Sequence, residues 1–236
     1  MPRRLTGGVW LLDLGLVEPV DAYAYLVDDT GAAGDGTVTL VDTGLFLNRP
    51  TLDDELAAAG EGYTLADIDR VLVTHYDLDH VGSLAGLEPE LDAPVYIGAH
   101  DGAVLTGDRS PPLSNHKGAL QRALGLLVTE PDLEIRTLED GDELGSFTAY
   151  HTPGHTPGHF AFVSREQRTG LLGDLVTESG GALEPSGWLM SYDTGAVRDS
   201  IQSLSAHAAA FDIACIGHGT PLTANGSGAV RSLASG

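Results

Sequence analysis

In His75-Tyr76-Asp77-Leu78-Asp79-His80, four side chains able to ligate a metal ion fall within six residues, directly after the apolar run Val71-Leu72-Val73. The apolar run reads as a strand, so the hexapeptide sits where a strand gives way to a loop, the position at which scaffolds present chemistry to solvent. A tight turn there can point His75 and Asp77 towards one ion while Asp79 and His80, on the following helical turn, face a second. Other groups of the same kind also stand at strand ends. His155 lies in Thr152-Pro153-Gly154-His155-Thr156-Pro157-Gly158-His159, a rigid loop whose glycines let the backbone approach closely. Asp174 follows a short strand at 170–172, and His218 follows one at 213–216. The chain has one cysteine, Cys215, so it can form neither an internal disulfide nor a Cys-based zinc ribbon, which leaves histidine and carboxylate as the ligand types.

The pattern around these positions predicts strands at 9–14, 22–27, 38–41, 68–73, 94–98, 133–138, 147–151, 160–163, 170–172 and 213–216, with hairpin turns over 31–36 and 164–169 and a turn around Gly141. A helix is expected over 51–59, from the N-cap signal of Thr51 to the stop at Gly60, and a short one between His80 and Gly86. Residues 117–128 read as an amphipathic helix with Leu120, Leu124 and Leu127 on one face, and 197–210 as another helix. No repeat or Pro/Ser-rich linker divides the 236 residues, so one domain over 1–236 is the economical reading, with sheets covered on their outer faces by helices.

Twelve basic residues stand against 34 acidic ones, a formal charge of −22, and Lys117 is the only lysine. Such a surface repels polyanions, which argues against nucleic acid or an anionic membrane surface as partner and favours a small-molecule substrate. The carboxylates are scattered rather than gathered in a tail, and their mutual repulsion is relieved by salt. The expectation is therefore a halophilic protein of a salt-rich cytoplasm. No apolar run reaches the roughly 18–20 residues of a membrane span, and Met1-Pro2-Arg3-Arg4 is not followed by a secretion signal.

The His-x-Asp-x-Asp-His run, the later His155, Asp174 and His218, and the segment Val41-Asp42-Thr43-Gly44 together resemble the metallo-β-lactamase-fold hydrolases, whose signature is His-x-His-x-Asp-His followed by a His, an Asp and a last His. The resemblance implies a four-layer αββα sandwich with a two-metal site at one edge of the paired sheets. It also implies that His75, Asp77 and His155 hold a first ion and Asp79, His80 and His218 a second. Asp174 would bridge the two, and Asp42 would orient a ligand histidine. One position departs from the pattern, since Asp77 stands where the second histidine is expected. Two divalent ions, three ligand carboxylates and a hydroxide then cancel, where a histidine would leave one positive charge. Oxygen donors also move the preference from zinc towards manganese or iron, with zinc still the default. Flavodiiron-type relatives carry a carboxylate here too, but they need a flavin-binding partner domain for which this chain has no room.

The expected activity is hydrolysis of an ester, lactone or thioester by a hydroxide bridging two metal ions, with Asp79 orienting the hydroxide and shuttling a proton. An aspartate at the position of Asp174 goes, within the resembled family, with thioesterases, lactonases and phosphodiesterases rather than true β-lactamases. The alternatives are β-lactamase-type amide hydrolysis, and a non-catalytic or redox metal-binding module. His151 and His159 read as hydrogen-bonding residues near the ligands, and His100, His116 and His207 as surface or helix residues. Cys215 reads as a core residue. The loops 45–50, 101–116 and 180–192 are expected to wall the pocket, with Trp188 and Tyr192 as candidate lining residues.

Overall fold

The computed structural model describes residues 1–15, 22–31, 36–47 and 50–236. The first sheet has seven strands in chain order: β1 (Arg3–Thr6), β2 (Val9–Asp13), β3 (Tyr23–Asp28), β4 (Val38–Val41), β5 (Arg70–Leu72), β6 (Val95–Gly98) and β7 (Ile135–Leu138). It is antiparallel as far as β4 and parallel from there to β7. The second sheet is built from β8 (Glu143–Leu144), β9 (Phe147–His151), β10 (Phe160–Ser164) and β11 (Thr169–Leu171), antiparallel in that order. A hairpin, β12 (Val176–Ser179) and β13 (Ala182–Pro185), stands apart, and β14 (Ile213–Cys215) closes the second sheet by pairing parallel to β11.

Alternation along the strands sorts the apolar side chains into three layers. Val9 and Leu11 of β2 meet Phe160 and Phe162 of β10 and Cys215 of β14 between the two sheets. Leu12, Leu40 and Ile97 face outward onto helices α1 (Leu52–Ala58), α2 (Leu78–Val81), α3 (Leu84–Leu87) and α4 (Ala99–Leu105). On the other side Ala161, Val163 and Ala214 pack under α6 (Thr194–His207) and α7 (Gly226–Ala234). Helix α5 (His116–Leu124) lies between α4 and β7 in the chain. Because both faces of both sheets are covered, the inner strands read as nearly continuous apolar runs, and the result is the expected αββα sandwich.

Most of the expected elements form, and their edges have local causes. The helix at Thr51 opens on a capping box, in which Thr51 Oγ1 accepts from Asp54 N at 3.2 Å and Asp54 Oδ2 accepts from Thr51 N at 3.0 Å. The expected hairpin over 31–36 falls largely outside the described residues. The expected loop at 101–116 is partly wrong: 99–105 are helical, and Asp101 is buried at 1% exposure. No helix among the described residues is long and apolar enough to cross a membrane.

Four strands that end side by side place the site. The carboxyl ends of β4, β5, β11 and β14 are followed by Asp42, His75, Asp174 and His218. The two sheets are tied at this edge by Tyr25 of β3, whose hydroxyl donates to Ile216 O at 2.7 Å and accepts from Ile216 N at 3.1 Å, two residues before His218.

A candidate metal centre at the edge of the two sheets

All seven residues singled out in the sequence converge. His75 Nε2, His155 Nε2 and Asp77 Oδ2 form one triangle with edges of 3.1, 3.0 and 3.3 Å. Those are about the edges of a tetrahedron drawn around an ion with bonds of roughly 2 Å. A second group adjoins it: Asp79 Oδ2 lies 3.1 Å from His218 Nε2 and 4.0 Å from His80 Nε2. Asp174 reaches both groups, with Oδ2 3.6 Å from His155 Nε2 and 3.2 Å from His218 Nε2, and Oδ1 3.5 Å from His80 Nε2. His80 Nε2 and Asp174 Oδ1 are buried and have no hydrogen-bond partner among the described residues. Buried polar atoms are rarely left so, and here they face one another across a gap lined with further donors. The donor set fits divalent metal ions.

The other ring nitrogens hold the histidines in place. His80 Nδ1 lies 2.8 Å from Asp42 Oδ2, His75 Nδ1 is 3.0 Å from Thr74 Oγ1, and His155 Nδ1 is 3.1 Å from Ser186 Oγ. With Nδ1 thus engaged, each Nε2 is left to face the centre. Asp42 also accepts from Thr74 N and Thr74 Oγ1, both at 2.8 Å, and does so from a left-handed backbone conformation (φ 58°). A side chain in that region is uncommon outside glycine and marks a turn built to aim this carboxylate. Gly217 has a separate reason to be glycine, because a Cβ there would land on Asp174 Oδ1.

The electrostatics follow from burial set against close partners. Burial pushes the Asp77 carboxyl up, but the Lys117 charge and hydrogen bonds from His155 and His75 carry it well below the usual range. Asp174 is likewise held low, as burial is outweighed by His218 and His80. Burial would lower His80, yet Asp42 and Asp174 raise it to about 9, while Asp174 above all raises His218 to about 12. His155 is lowered to about 4, first by burial and then by the neighbouring His75.

Several residues at the centre carried no clear mark in the sequence. Lys117, on α5, is 2% exposed, and its ammonium contacts Asp77 Oδ2. Gln121, one turn on, donates to Asp77 Oδ1 at 2.7 Å and to Tyr76 O, and accepts from the Tyr192 hydroxyl at 2.6 Å. Asp101 accepts from Tyr76 N at 2.9 Å, Thr156 Oγ1 at 2.6 Å and Gly158 N at 2.8 Å, and so joins the first ligand turn to the His155 loop. The one available signal was that a chain with a single lysine places it four residues before a glutamine on a helix.

The other histidines sort much as expected. His159 is fully buried, with Nδ1 2.8 Å from Thr152 Oγ1, and its ring lies 5.2 Å from that of His75. His151 is exposed, and its Nε2 lies 3.0 Å from Pro157 O. His116 stacks on Trp188 at 4.1 Å, which leaves Trp188 67% exposed and away from the cleft over the centre. That cleft, about 40 Å³, is lined by Asp77, Asp79, Lys117 and Gln121 beside Tyr76, Leu78, Leu120, Leu124, Val128 and Met190. Tyr192 supports the centre through Gln121 rather than lining the cleft. Cys215 is fully buried between the sheets.

A family model described as the metallo-beta-lactamase superfamily matches residues 17–218. Among curated proteins, the uncharacterized protein YobT of Bacillus subtilis (strain 168) is 28% identical over 162 residues, covering 66% of this chain and 63% of that protein. The probable metallo-hydrolase YflN of the same organism is 30% identical over 147 residues, covering 58% and 54%. The match thus spans less than two thirds of either relative's length. Among solved structures, the metallo-beta-lactamase family protein TTHA1429 from Thermus thermophilus superposes with a TM-score of 0.72 at 24% identity, covering 98% of this chain and 80% of that one. TTHA1623, solved in a di-iron-bound form, gives 0.66 at 28% identity, covering 90% and 95%.

Proposed function

The chain belongs to the metallo-beta-lactamase superfamily, and from that premise we propose that it is a dinuclear metal-dependent hydrolase cleaving an ester, lactone or thioester of a small substrate. The observation that carries the reading is the position of Asp174, whose carboxylate reaches both donor groups. His75, Asp77 and His155 would hold a first divalent ion, and Asp79, His80 and His218 a second, with Asp174 shared. We take residues 1–236 as one domain, since the ligands come from both sheets and the sheets share one apolar layer. Zinc is the default ion, with manganese or iron as alternatives favoured by the oxygen donors. When bound, two such ions supply a hydroxide nucleophile near neutral pH and positive charge for a developing oxyanion.

The chain's own residues do the rest. Asp79, its side chain 27% exposed and lining the cleft, would take a proton from the attacking water and return it to the leaving group. The apolar side chains of Leu78, Leu120, Leu124 and Met190, in the cleft that Asp77 and Asp79 also line, would suit the hydrocarbon part of an acyl group. A phosphodiester of nucleic acid fits poorly with a chain of formal charge −22.

The test is element-resolved metal analysis of protein expressed without added metal, followed by a screen of aryl esters, lactones, thioesters and β-lactams in high salt. Near two ions per chain with turnover of an acyl substrate is the expected result. Turnover of β-lactams alone would replace the acyl ester reading with amide hydrolysis. Iron with colour would point to redox chemistry, and one ion or none without turnover to a non-catalytic module.

A further inference from the structure

We propose that Asp77 and Lys117 act as one charge-neutral unit standing in for the neutral imidazole that the pattern His-x-His-x-Asp-His places at position 77, an inference that rests on the metal-binding reading above. The substitution poses two physical problems, and the structure answers both. The first is charge: a carboxylate in place of imidazole removes one unit of positive charge from the centre. Lys117 is the only lysine in the chain, and its buried ammonium lies against Asp77 Oδ2, the oxygen that faces His75 and His155. Lysine is almost never fully buried without a partner. With its charge counted, the balance of ions, carboxylates and hydroxide returns to one positive charge, as a histidine would leave it.

The second problem is geometry. A carboxylate offers two oxygens and several lone pairs, whereas imidazole offers one. Asp77 Oδ1 is taken by Gln121 Nε2 at 2.7 Å, and Oδ2 is shared with Lys117, so a single direction remains towards His75 and His155. The pins are themselves fixed. Asn115 Oδ1 caps α5 by accepting from Lys117 N at 3.0 Å and Gly118 N at 3.1 Å, and the Tyr192 hydroxyl donates to Gln121 at 2.6 Å. Gly118 lets the helix sit close, because a Cβ there would meet Pro112 O at 2.5 Å. Lys117 is thus a positioning residue that acts through Asp77.

The test is a double-mutant cycle of Asp77→His, Lys117→Met and the combined variant. Two quantities are read: the melting midpoint in chelator, where no ion contributes, and the zinc retained per chain after saturation with zinc and desalting. Asp77→His alone buries an ammonium without its anion and should lower the midpoint by about 10 °C, with loss of one zinc. Lys117→Met alone leaves the carboxylate uncompensated and should also lower the midpoint. The combined variant should return to within about 2 °C of the parent and hold the parent's zinc number, because a neutral imidazole then faces a neutral neighbour. If Asp77→His does not fold alone, recovery of folded protein in the combined variant reads the same coupling. Midpoint losses that add, a combined variant that does not fold, or one holding less zinc than the parent would overturn the pairing. A parent chain that retains no zinc, manganese or iron would instead refute the metal reading, and the cycle in chelator would still decide the pairing.

Discussion

At the scale of single residues, the centre is held by proton competition as much as by position. His80, raised to about 9 by Asp42 and Asp174 against the effect of burial, and His218, raised to about 12 chiefly by Asp174, both keep a proton at neutral pH unless a cation takes the nitrogen. His155, lowered to about 4 by burial and by His75, is already the neutral imidazole at that pH. Ion binding must therefore expel protons from the second group but not from the His155 side of the first. The sign follows directly: raised pKa values mean stronger competition at lower pH, so affinity rises with pH until His80 would lose its proton unaided, near 9. Zinc titrations between about pH 6 and pH 8 should show apparent affinity climbing roughly tenfold per unit for each proton displaced. The heats should also scale with the ionisation enthalpy of the buffer. Affinity that does not change across that range, with heats independent of buffer, would show that these rings are not the ligands.

At the scale of elements, helix α5 shows why the sequence was legible in one respect and not in another. Its period was readable, since Leu120, Leu124 and Leu127 recur at helical spacing, and the helix forms over His116–Leu124 with a 3-10 turn after it. The side it buries was not readable from hydrophobicity. Lys117, Gly118 and Gln121 face inward, while Leu120 and Leu124 remain 40% exposed and Leu127 54%. Hydrophobic periodicity presumes an apolar partner surface, but α5 packs over a polar centre, and its leucines wall a cleft. The candidate metal-holding residues are legible for the opposite reason, because they stand in the turns that follow strand ends, where apolar runs stop, with Asp79 and His80 on the short helix α2 just beyond one of them. Helix α7 is not legible in the sequence because Gly226, Gly228, Ser227 and Ser232 give it little intrinsic helix preference. Burial of Val230 and contact of Ala229 and Leu233 with the layer under α6 hold it instead. The inward face of α5 can be tested through Gln121→Ala, which strips a partner from Asp77 Oδ1, Tyr76 O and the Tyr192 hydroxyl together. Leaving such groups unpaired should cost about 1–3 kcal/mol, a fall of roughly 2–10 °C in melting midpoint. Leu126→Ser, at a site 86% exposed, should move it by less than about 2 °C. Equal effects at the two positions would mean that the polar face of α5 is not structural.

For the whole molecule, the charge sets the conditions under which this centre can exist. Of the 34 acidic residues, the buried ones are few and mostly engaged: Asp42, Asp77, Asp101 and Asp174 at the centre, Asp29 with Ser146 and Gln167, and Glu55 with Asp13 N and the N-terminus. Two basic residues, Lys117 and Arg70, are buried as well, so among the described residues six acids and two bases leave the surface and most of the acidic excess stays on it. Repulsion among exposed carboxylates is long-ranged when salt is dilute and short-ranged when it is not, with a screening length of about 10 Å at 0.1 M and about 3 Å at 1 M. The buried contacts around Asp77 and Asp174 are shielded by protein and should respond far less. The expected result is therefore selective: the melting midpoint should rise from low to molar KCl, while the zinc number per chain stays constant across the same series. A midpoint that stays level or falls would remove the case for a salt-rich cytoplasm. The same experiment separates surface from site, since zinc lost on raising KCl would mean that the centre is held by the molecule's overall negative field rather than by its own seven donors.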